Sequence, residues 1–158
     1  MGGESRVRVV FVCTGNICRS PMAEVMARRA VAEAGLADRV RVTSVGTGDW
    51  HVGAGMDPRA AAELTEHGHD SAHVAAQLSD ADLGADLIVA LDRSHRTHLL
   101  AAGADPDRVR LLRGFDPDAD APDVADPYYG ERADFSRTRL DIAGALPGLI
   151  AELRGLRG

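Results

Sequence analysis

The sequence is short of several residue types, and each shortage excludes a class of protein. It has two cysteines, five positions apart, which excludes the disulfide framework of small secreted domains. No apolar run approaches the ~18 residues that a membrane span needs. Lysine is absent, and the net charge of −6 argues against a broad nucleic-acid or acidic-membrane surface. Aromatic residues make up only 4%, so alanine, valine and leucine must fill the interior.

The remaining composition is ordinary for a globular protein. The 158 residues, 45% of them hydrophobic, can bury a core, and we expect a single domain over 1–158. The polar amino end leads directly into the first predicted strand, which predicts that no signal peptide is present. We therefore expect a cytoplasmic monomer with neither nucleic-acid nor membrane partners.

The most informative segment is a loop between a predicted strand and a predicted helix. Val7–Val12 is almost entirely β-branched or aromatic and predicts a buried strand, while Pro21 suits the first turn of a helix. Between them, Cys13–Ser20 contains Gly15 and Asn16, which tolerate the backbone angles of a tight loop. Such a loop directs backbone N–H groups and the positive helix end into one concavity, which makes an anion site.

Two side chains give this predicted anion site its chemistry. Cys13 lies at its base, and Arg19 follows six residues later. A thiol in such a field loses its proton readily and becomes a nucleophile, and the planar guanidinium matches two oxygens of a tetrahedral oxyanion. The pair predicts a phosphate-ester hydrolase that works through a phosphocysteine. We expect the phosphate to be bound by the rest of the loop, namely Thr14, Gly15, Asn16, Ile17, Cys18 and Arg19.

Strand and helix patterns alternate along the chain, which predicts an α/β fold with a parallel sheet and helices on both faces. The later predicted strands are Val40–Val45, Asp86–Leu91 and Val109–Leu112. Helices are predicted to follow Asp57, Asp92 and Asp134. Active sites of such sheets lie at the carboxyl ends of the strands, so the loops after the four strands are expected to meet at one edge.

Two segments of the sequence resemble the low-molecular-weight protein tyrosine phosphatases. They are Val12–Pro21 and Asp126–Gly130, and the resemblance covers nearly the whole length in loop order and spacing. The Thr47–Gly53 segment is most similar to actinobacterial members of that family. The resemblance implies a four-stranded sheet in the order 2-1-3-4. It also implies phosphotyrosine-containing proteins and small aryl phosphates as substrates, oxyanions such as phosphate as inhibitors, and no cofactor.

A phosphocysteine route needs a general acid, because the leaving oxygen must be protonated. Composition does not choose among the five aspartates of the 114–131 loop, which are Asp116, Asp118, Asp120, Asp123 and Asp126. The resemblance implies Asp126, which would protonate the leaving oxygen and then activate water.

The few aromatic residues suggest where the substrate ring binds. Trp50, Tyr128 and Tyr129 are half of the aromatic residues, and all three lie in loops expected at the same sheet edge. We therefore prefer a cleft for an aromatic ring, with Ile17 beside it, over ordinary packing. Phosphotyrosine is long enough to reach a cysteine at the base of a deep cleft, whereas phosphoserine is not.

The resemblance also implies supporting residues around the loop. Ser20 could simply cap the helix, but the family uses the matching serine as a hydrogen-bond donor to the thiolate. Hydrogen bonds that support the loop are implied for His73, Asn16, Ser44 and Asp92. The H-x-H-x3-H spacing of His67, His69 and His73 is a weak metal signal, so we predict no metal and expect the first two to be exposed.

Four other functions fit parts of the pattern. An arsenate reductase of this scaffold needs two further downstream cysteines, and none follows Cys18. Protein-arginine phosphatases carry threonine in place of Ile17 and lack the tyrosine pair. A phosphate-binding protein without activity would lack Cys13, Arg19 or Asp126, and a phosphocysteine carrier of sugar transport needs no general acid.

Cys18 is predicted to be a redox partner of Cys13, because a disulfide is within reach on one curled loop.

Overall fold

The computed structural model describes residues 6–156. Its strands are β1 (Val7–Cys13), β2 (Val40–Gly46), β3 (Leu87–Ala90) and β4 (Val109–Leu111). They form one parallel sheet in the order β2-β1-β3-β4, which confirms the predicted topology. Because β1 pairs with both β2 and β3, the loop at its carboxyl end lies between the loops that follow those two strands.

Helices cover both faces of the sheet, as predicted. They are α1 (Arg19–Glu33), α2 (Pro58–Glu66), α3 (Asp80–Leu83), α4 (Arg93–Ala101) and α5 (Arg132–Gly155), with a 3-10 turn at Leu112–Phe115. Side chains of β1 alternate between the faces: Val9 and Phe11 join the cluster of α1, α2 and α5, and Val10 and Val12 join that of α4. Within residues 6–156, no helix has the length and apolar character to cross a membrane.

Several predicted element bounds differ from the observed ones, such as β3, which is one residue shorter at each end than predicted, and two of the differences have identifiable reasons. Helix α5 begins at Arg132 rather than after Asp134, because Glu131 and Asp134 form a capping box that starts the helix earlier. The chain after β4 tightens into the 3-10 turn, so the strand ends one residue before the predicted Leu112. The acidic loop between this turn and α5 therefore starts at Asp116.

Candidate active site

The segment Cys13–Ser20, here called the anion loop, connects the carboxyl end of β1 to α1. Asn16 adopts a left-handed backbone conformation (φ 57°), which asparagine tolerates. A side-chain carbon at Gly46 of β2 would lie 2.6 Å from the Thr14 carbonyl oxygen, so only glycine fits beneath the loop. Cys18 is the N-cap residue of helix α1, and within the described chain it makes no side-chain capping hydrogen bond to the first N–H groups of that helix. Its first N–H groups are therefore available to an anion.

Ser20 supports the cysteine rather than capping the helix. It lies inside the first turn of α1, and its Oγ is 2.9 Å from Cys13 Sγ. Asn16 Nδ2 donates to the same oxygen at 2.8 Å, which leaves the serine hydrogen free to point at the sulfur. The Val45 carbonyl is a more distant acceptor, at 3.4 Å. Cys13 itself is only 3% exposed, so a substrate must reach down to it.

The backbone of the anion loop is held through Asn16, which is fully buried. Its Nδ2 donates to Ser44 Oγ at 2.9 Å, and its Oδ1 accepts from the Ala76 N–H at 2.9 Å. The ring of His73 donates from Nε2 to the Asn16 carbonyl at 2.7 Å. Three residues of the set implied for support therefore form one connected network: Asn16, Ser44 and His73.

Glu24 belongs to this network and was missed. It lies on α1, is buried and accepts from Ser44 Oγ at 2.6 Å. It also forms an ion pair with Arg28, at 2.6 Å. The available signal was its spacing of four residues from Ser20, which puts both side chains on the same face of the helix.

The guanidinium of Arg19 is held by residues outside the anion loop. It is 4% exposed, and its Nη1 donates to Asp92 Oδ2 at 2.7 Å and to the Val124 carbonyl at 2.9 Å. Among the described residues its Nε and Nη2 have no hydrogen-bond partner. Burial alone would raise the pKa of Asp92, but hydrogen bonds from Ser94 and Arg19 lower it to about 2. Asp92 is therefore a fixed negative charge that orients the guanidinium.

Asp126 is the aspartate of the acidic loop that faces the cysteine. It lines the same cavity as Cys13, and its Oδ2 is 3.8 Å from Arg19 Nη2. Two other aspartates of the loop pair with arginines instead: Asp120 with Arg113 at 2.8 Å, and Asp123 with Arg93 at 3.2 Å.

Arg59 fixes the segment that follows Asp126. It pairs with Asp57 at 2.9 Å and donates to the carbonyl oxygens of Tyr128 at 2.9 Å and Gly130 at 3.1 Å. Its guanidinium also lies 4.6 Å from the ring centroid of Phe135. No sequence signal identified Arg59 as a loop anchor, since its partners in that loop are backbone carbonyls.

The cavity above the anion loop has a volume of about 420 Å³. Its walls include Ile17, Trp50, Tyr128 and Tyr129, so all the aromatic residues of the predicted cleft lie together. The two tyrosine rings meet edge to face at 4.9 Å, and Trp50 and Tyr129 are 70% and 93% exposed, so both sit at the mouth. His51, next to Trp50, also lines the cavity and was missed.

The remaining residues discussed in the sequence analysis are Cys18 and the histidines His67 and His69. Burial, together with the charges of Asp57 and Cys13, raises the pKa of the Cys18 thiol to about 12. Both cysteines are free. His67 is exposed as expected, but His69 is half-buried, which lowers its pKa. In residues 6–156, no three His, Cys, Asp or Glu side chains are grouped as metal ligands.

Known proteins share both this sequence and this fold. The family called low molecular weight phosphotyrosine protein phosphatase matches residues 8–156. Low molecular weight protein-tyrosine phosphatase A of Mycobacterium tuberculosis is 54% identical over 145 residues, which cover 90% of this chain and 89% of the relative.

Two solved structures show how far the fold is shared. A protein tyrosine phosphatase of Entamoeba histolytica superposes with a TM-score of 0.90 at 27% identity, covering 94% of this chain and 97% of that one. A Drosophila arginine phosphatase superposes with a TM-score of 0.83 at 28% identity, covering 93% and 98%. The fold alone therefore does not choose the substrate. By sequence, the chain belongs to the low molecular weight phosphotyrosine protein phosphatase family.

Proposed function

We propose that the protein hydrolyses phosphotyrosine in proteins, and small aryl phosphates, through a phosphocysteine on Cys13. The observation that carries this proposal is that Cys13, Arg19 and Asp126 line one cavity with aromatic walls. We propose that the cavity needs no cofactor or metal, because the nucleophile, the anion site and the acid all belong to the chain itself.

In the first step the Cys13 thiolate attacks phosphorus, and the bond to the tyrosine oxygen breaks. The two free donor groups of Arg19 and the N–H groups of the anion loop, from Thr14 to Arg19, bind the phosphoryl oxygens. Asp126 gives its proton to the departing phenolate.

In the second step a water molecule attacks the phosphocysteine, and the Asp126 carboxylate takes its proton. The sulfur then leaves as a thiolate, which the Ser20 hydroxyl at 2.9 Å stabilises. Asn16, Ser44, His73 and Asp92 are positioning residues in this scheme, because they act through the loop and through Arg19.

The depth of the cavity favours a tyrosine substrate. Cys13 is 3% exposed while the aromatic residues at the mouth are largely exposed, so the phosphate must sit well below the surface. Ile17 contributes an apolar wall where a phosphoguanidinium would need polar partners. Protein partners are thus phosphotyrosine-containing chains; phosphate and related oxyanions would act as inhibitors. A monomeric state and a cytoplasmic location remain predictions from the sequence.

The decisive experiment compares native protein with Cys13→Ser. Native protein is expected to hydrolyse an aryl phosphate and a phosphotyrosine peptide, and to prefer them to phosphoserine peptide and phosphoarginine. Cys13→Ser should lose turnover yet still bind inorganic phosphate, measured by calorimetry, since the anion loop remains. Appreciable hydrolysis by Cys13→Ser would overturn the phosphocysteine mechanism, and a preference of the native protein for phosphoarginine would overturn the substrate class.

A further inference from the structure

A buried histidine lies directly behind the anion loop and has no part in the mechanism above. His95 is the third residue of α4 and is 2% exposed, whereas its neighbours Arg96, Thr97 and His98 are exposed. Burying an imidazole costs free energy unless its nitrogens find hydrogen-bond partners. Both nitrogens of His95 have such partners, and these partners determine which nitrogen carries the proton.

The Nδ1 atom of His95 is an acceptor. It lies 3.2 Å from the backbone nitrogen of Asp92, which can only donate. Asp92 Oδ1 is equally close, at 3.2 Å, but it already accepts from the His95 N–H at 3.0 Å and from Ser94 Oγ. A proton on Nδ1 would leave the Asp92 N–H without a partner. Burial and the charge of Arg19 lower the pKa of His95 to about 4, so the ring is neutral at neutral pH.

The proton of this neutral ring is therefore on Nε2, which lies 2.9 Å from Thr14 Oγ1. The threonine oxygen accepts this hydrogen bond, so its own hydroxyl hydrogen must point elsewhere. Among the described residues, Thr14 Oγ1 makes no other hydrogen bond. Thr14 follows Cys13 in the chain and lines the cavity. Its hydroxyl hydrogen is therefore free to be donated to an anion bound in the loop.

We propose that His95 is a positioning residue that makes the Thr14 hydroxyl a hydrogen-bond donor to an oxyanion held in the anion loop. The same capping box at the start of α4 thereby supports both ends of the loop: Asp92 orients Arg19, and His95 orients Thr14. The extension to a phosphoryl substrate rests on the proposed function, but binding of inorganic phosphate does not.

The test is a double-mutant cycle on the binding of inorganic phosphate, measured by calorimetry on folded protein of known melting temperature. Thr14→Val keeps the side-chain shape and removes the hydroxyl, and it should weaken binding by roughly tenfold, as expected for a lost hydrogen bond to a charged group. Thr14→Ser should restore most of the affinity. His95→Leu should weaken binding by roughly threefold to tenfold in the native background and by less than about twofold beside Thr14→Val.

Two controls separate this role from ordinary packing. His98→Gln changes an exposed histidine of the same helix and should leave phosphate affinity unchanged. His95→Gln should lie between native and His95→Leu, because glutamine at this position can accept from the N-cap N–H and still offer an amide donor to Thr14. Equal effects of His95→Leu with and without the Thr14 hydroxyl would overturn the proposal.

A measurement on the native protein covers the case in which His95→Leu does not fold. Nitrogen NMR of the imidazole should show the proton of His95 on Nε2, and a proton on Nδ1 would overturn the proposal. Steady-state kinetics then separate the two proposals of this article. If the cycle shows coupling but no phosphate ester is hydrolysed, the oxyanion role of His95 stands while the phosphatase function fails.

Discussion

Two carboxylates of this molecule, Asp92 and Glu63, are each paired with arginine, and they differ in whether that arginine keeps hydrogen-bond donors facing a cavity. Asp92, at the carboxyl edge of the sheet, binds only Nη1 of Arg19, so the Nε and Nη2 atoms have no hydrogen-bond partner among the described residues, although Nη2 lies 3.8 Å from Asp126. Glu63 lies on α2 at its contact with α5, is 1% exposed, and accepts hydrogen bonds on both carboxylate oxygens. Its oxygens accept from Arg139 at 2.6 Å, Arg132 at 3.0 Å and Ser136 at 2.8 Å.

The comparison distinguishes an ion pair that positions a functional side chain from an ion pair that joins two helices. At Glu63 both carboxylate oxygens accept hydrogen bonds from side chains of α5, so the cluster contributes to the packing of α2 on α5. At Asp92 the carboxylate restrains an arginine whose remaining donors face a cavity. Arg132 Nε in the Glu63 cluster also lacks a hydrogen-bond partner among the described residues, but it is buried, whereas Arg19 lines the cavity. Unused donors that face a cavity thus distinguish the candidate active site from a structural ion cluster of similar composition.

The largest expected effect contrasts two aspartates of the acidic loop. Asp126→Asn should lower kcat by roughly 10²–10⁴-fold on substrates with poor leaving groups, because the departing oxygen loses its proton donor. Asp120→Asn, in which the change affects an ion pair with Arg113, should alter kcat by less than about twofold. Kinetics on aryl phosphates of graded leaving-group quality measure this. A larger effect at Asp120 would show that Asp126 is not the acid.

The second prediction contrasts two arginines. Arg19→Lys should lower kcat/KM by roughly 10²–10³-fold, since a single ammonium cannot bind Asp92 and two phosphoryl oxygens together. The matched change Arg139→Lys should lower the melting temperature and leave kcat/KM within about twofold, because the hydrogen bond of Arg139 within residues 6–156 is to Glu63, away from the cavity. If both variants lost stability and neither lost activity, the distinction drawn between the two clusters would be wrong.

Of the two sites compared, only the one around Arg19 could be predicted in part from the sequence. The anion loop was predictable because its chemistry is local: Cys13 and Arg19 are six residues apart on one turn. The parallel sheet was predictable from strand and helix alternation, and its order from resemblance. The partners of Arg19 were not derivable from spacing, since Asp92 is 73 residues away and the Val124 contact is to a carbonyl.

The Glu63 cluster gave no signal for the same physical reason. Its members are distributed over α2 and α5, and charged residues on amphipathic helices are usually solvated. Glu24 on α1 is a charged residue of this kind and is also buried. His95 likewise has an ordinary place at the start of a helix, and only the fold brings it to Thr14. Long-range polar contacts are therefore where the sequence was least informative.

The third prediction tests the structural cluster by pH. Burial opposes ionisation of Glu63, but hydrogen bonds from Arg139, Ser136 and Arg132 lower its pKa from 4.5 to about 2. A lowered pKa stabilises the fold above about pH 4.5, and this contribution is lost as pH falls towards 2. Glu63→Gln should lower the free energy of unfolding by about 3 kcal/mol at pH 6. The difference from native protein should shrink between pH 4.5 and 3, as measured by urea unfolding; a constant difference would contradict the prediction.

The last prediction concerns Cys18, whose effect should be smallest because no step of hydrolysis uses its thiol. Peroxide would convert the Cys13 thiolate to a sulfenic acid, and attack by the Cys18 sulfur would form a disulfide and release water. The attacking species is a thiolate, and burial raises the pKa of Cys18 to about 12, so capture should be slow at neutral pH and faster as pH rises. Native protein exposed to peroxide should regain its activity with a dithiol, and the regained fraction should increase with the pH of exposure. Cys18→Ser, scored against its own activity before exposure, should recover poorly at every pH. Mass spectrometry should detect the Cys13–Cys18 linkage in the native protein. Equal recovery of both proteins without that linkage would leave Cys18 as a packing residue of the anion loop.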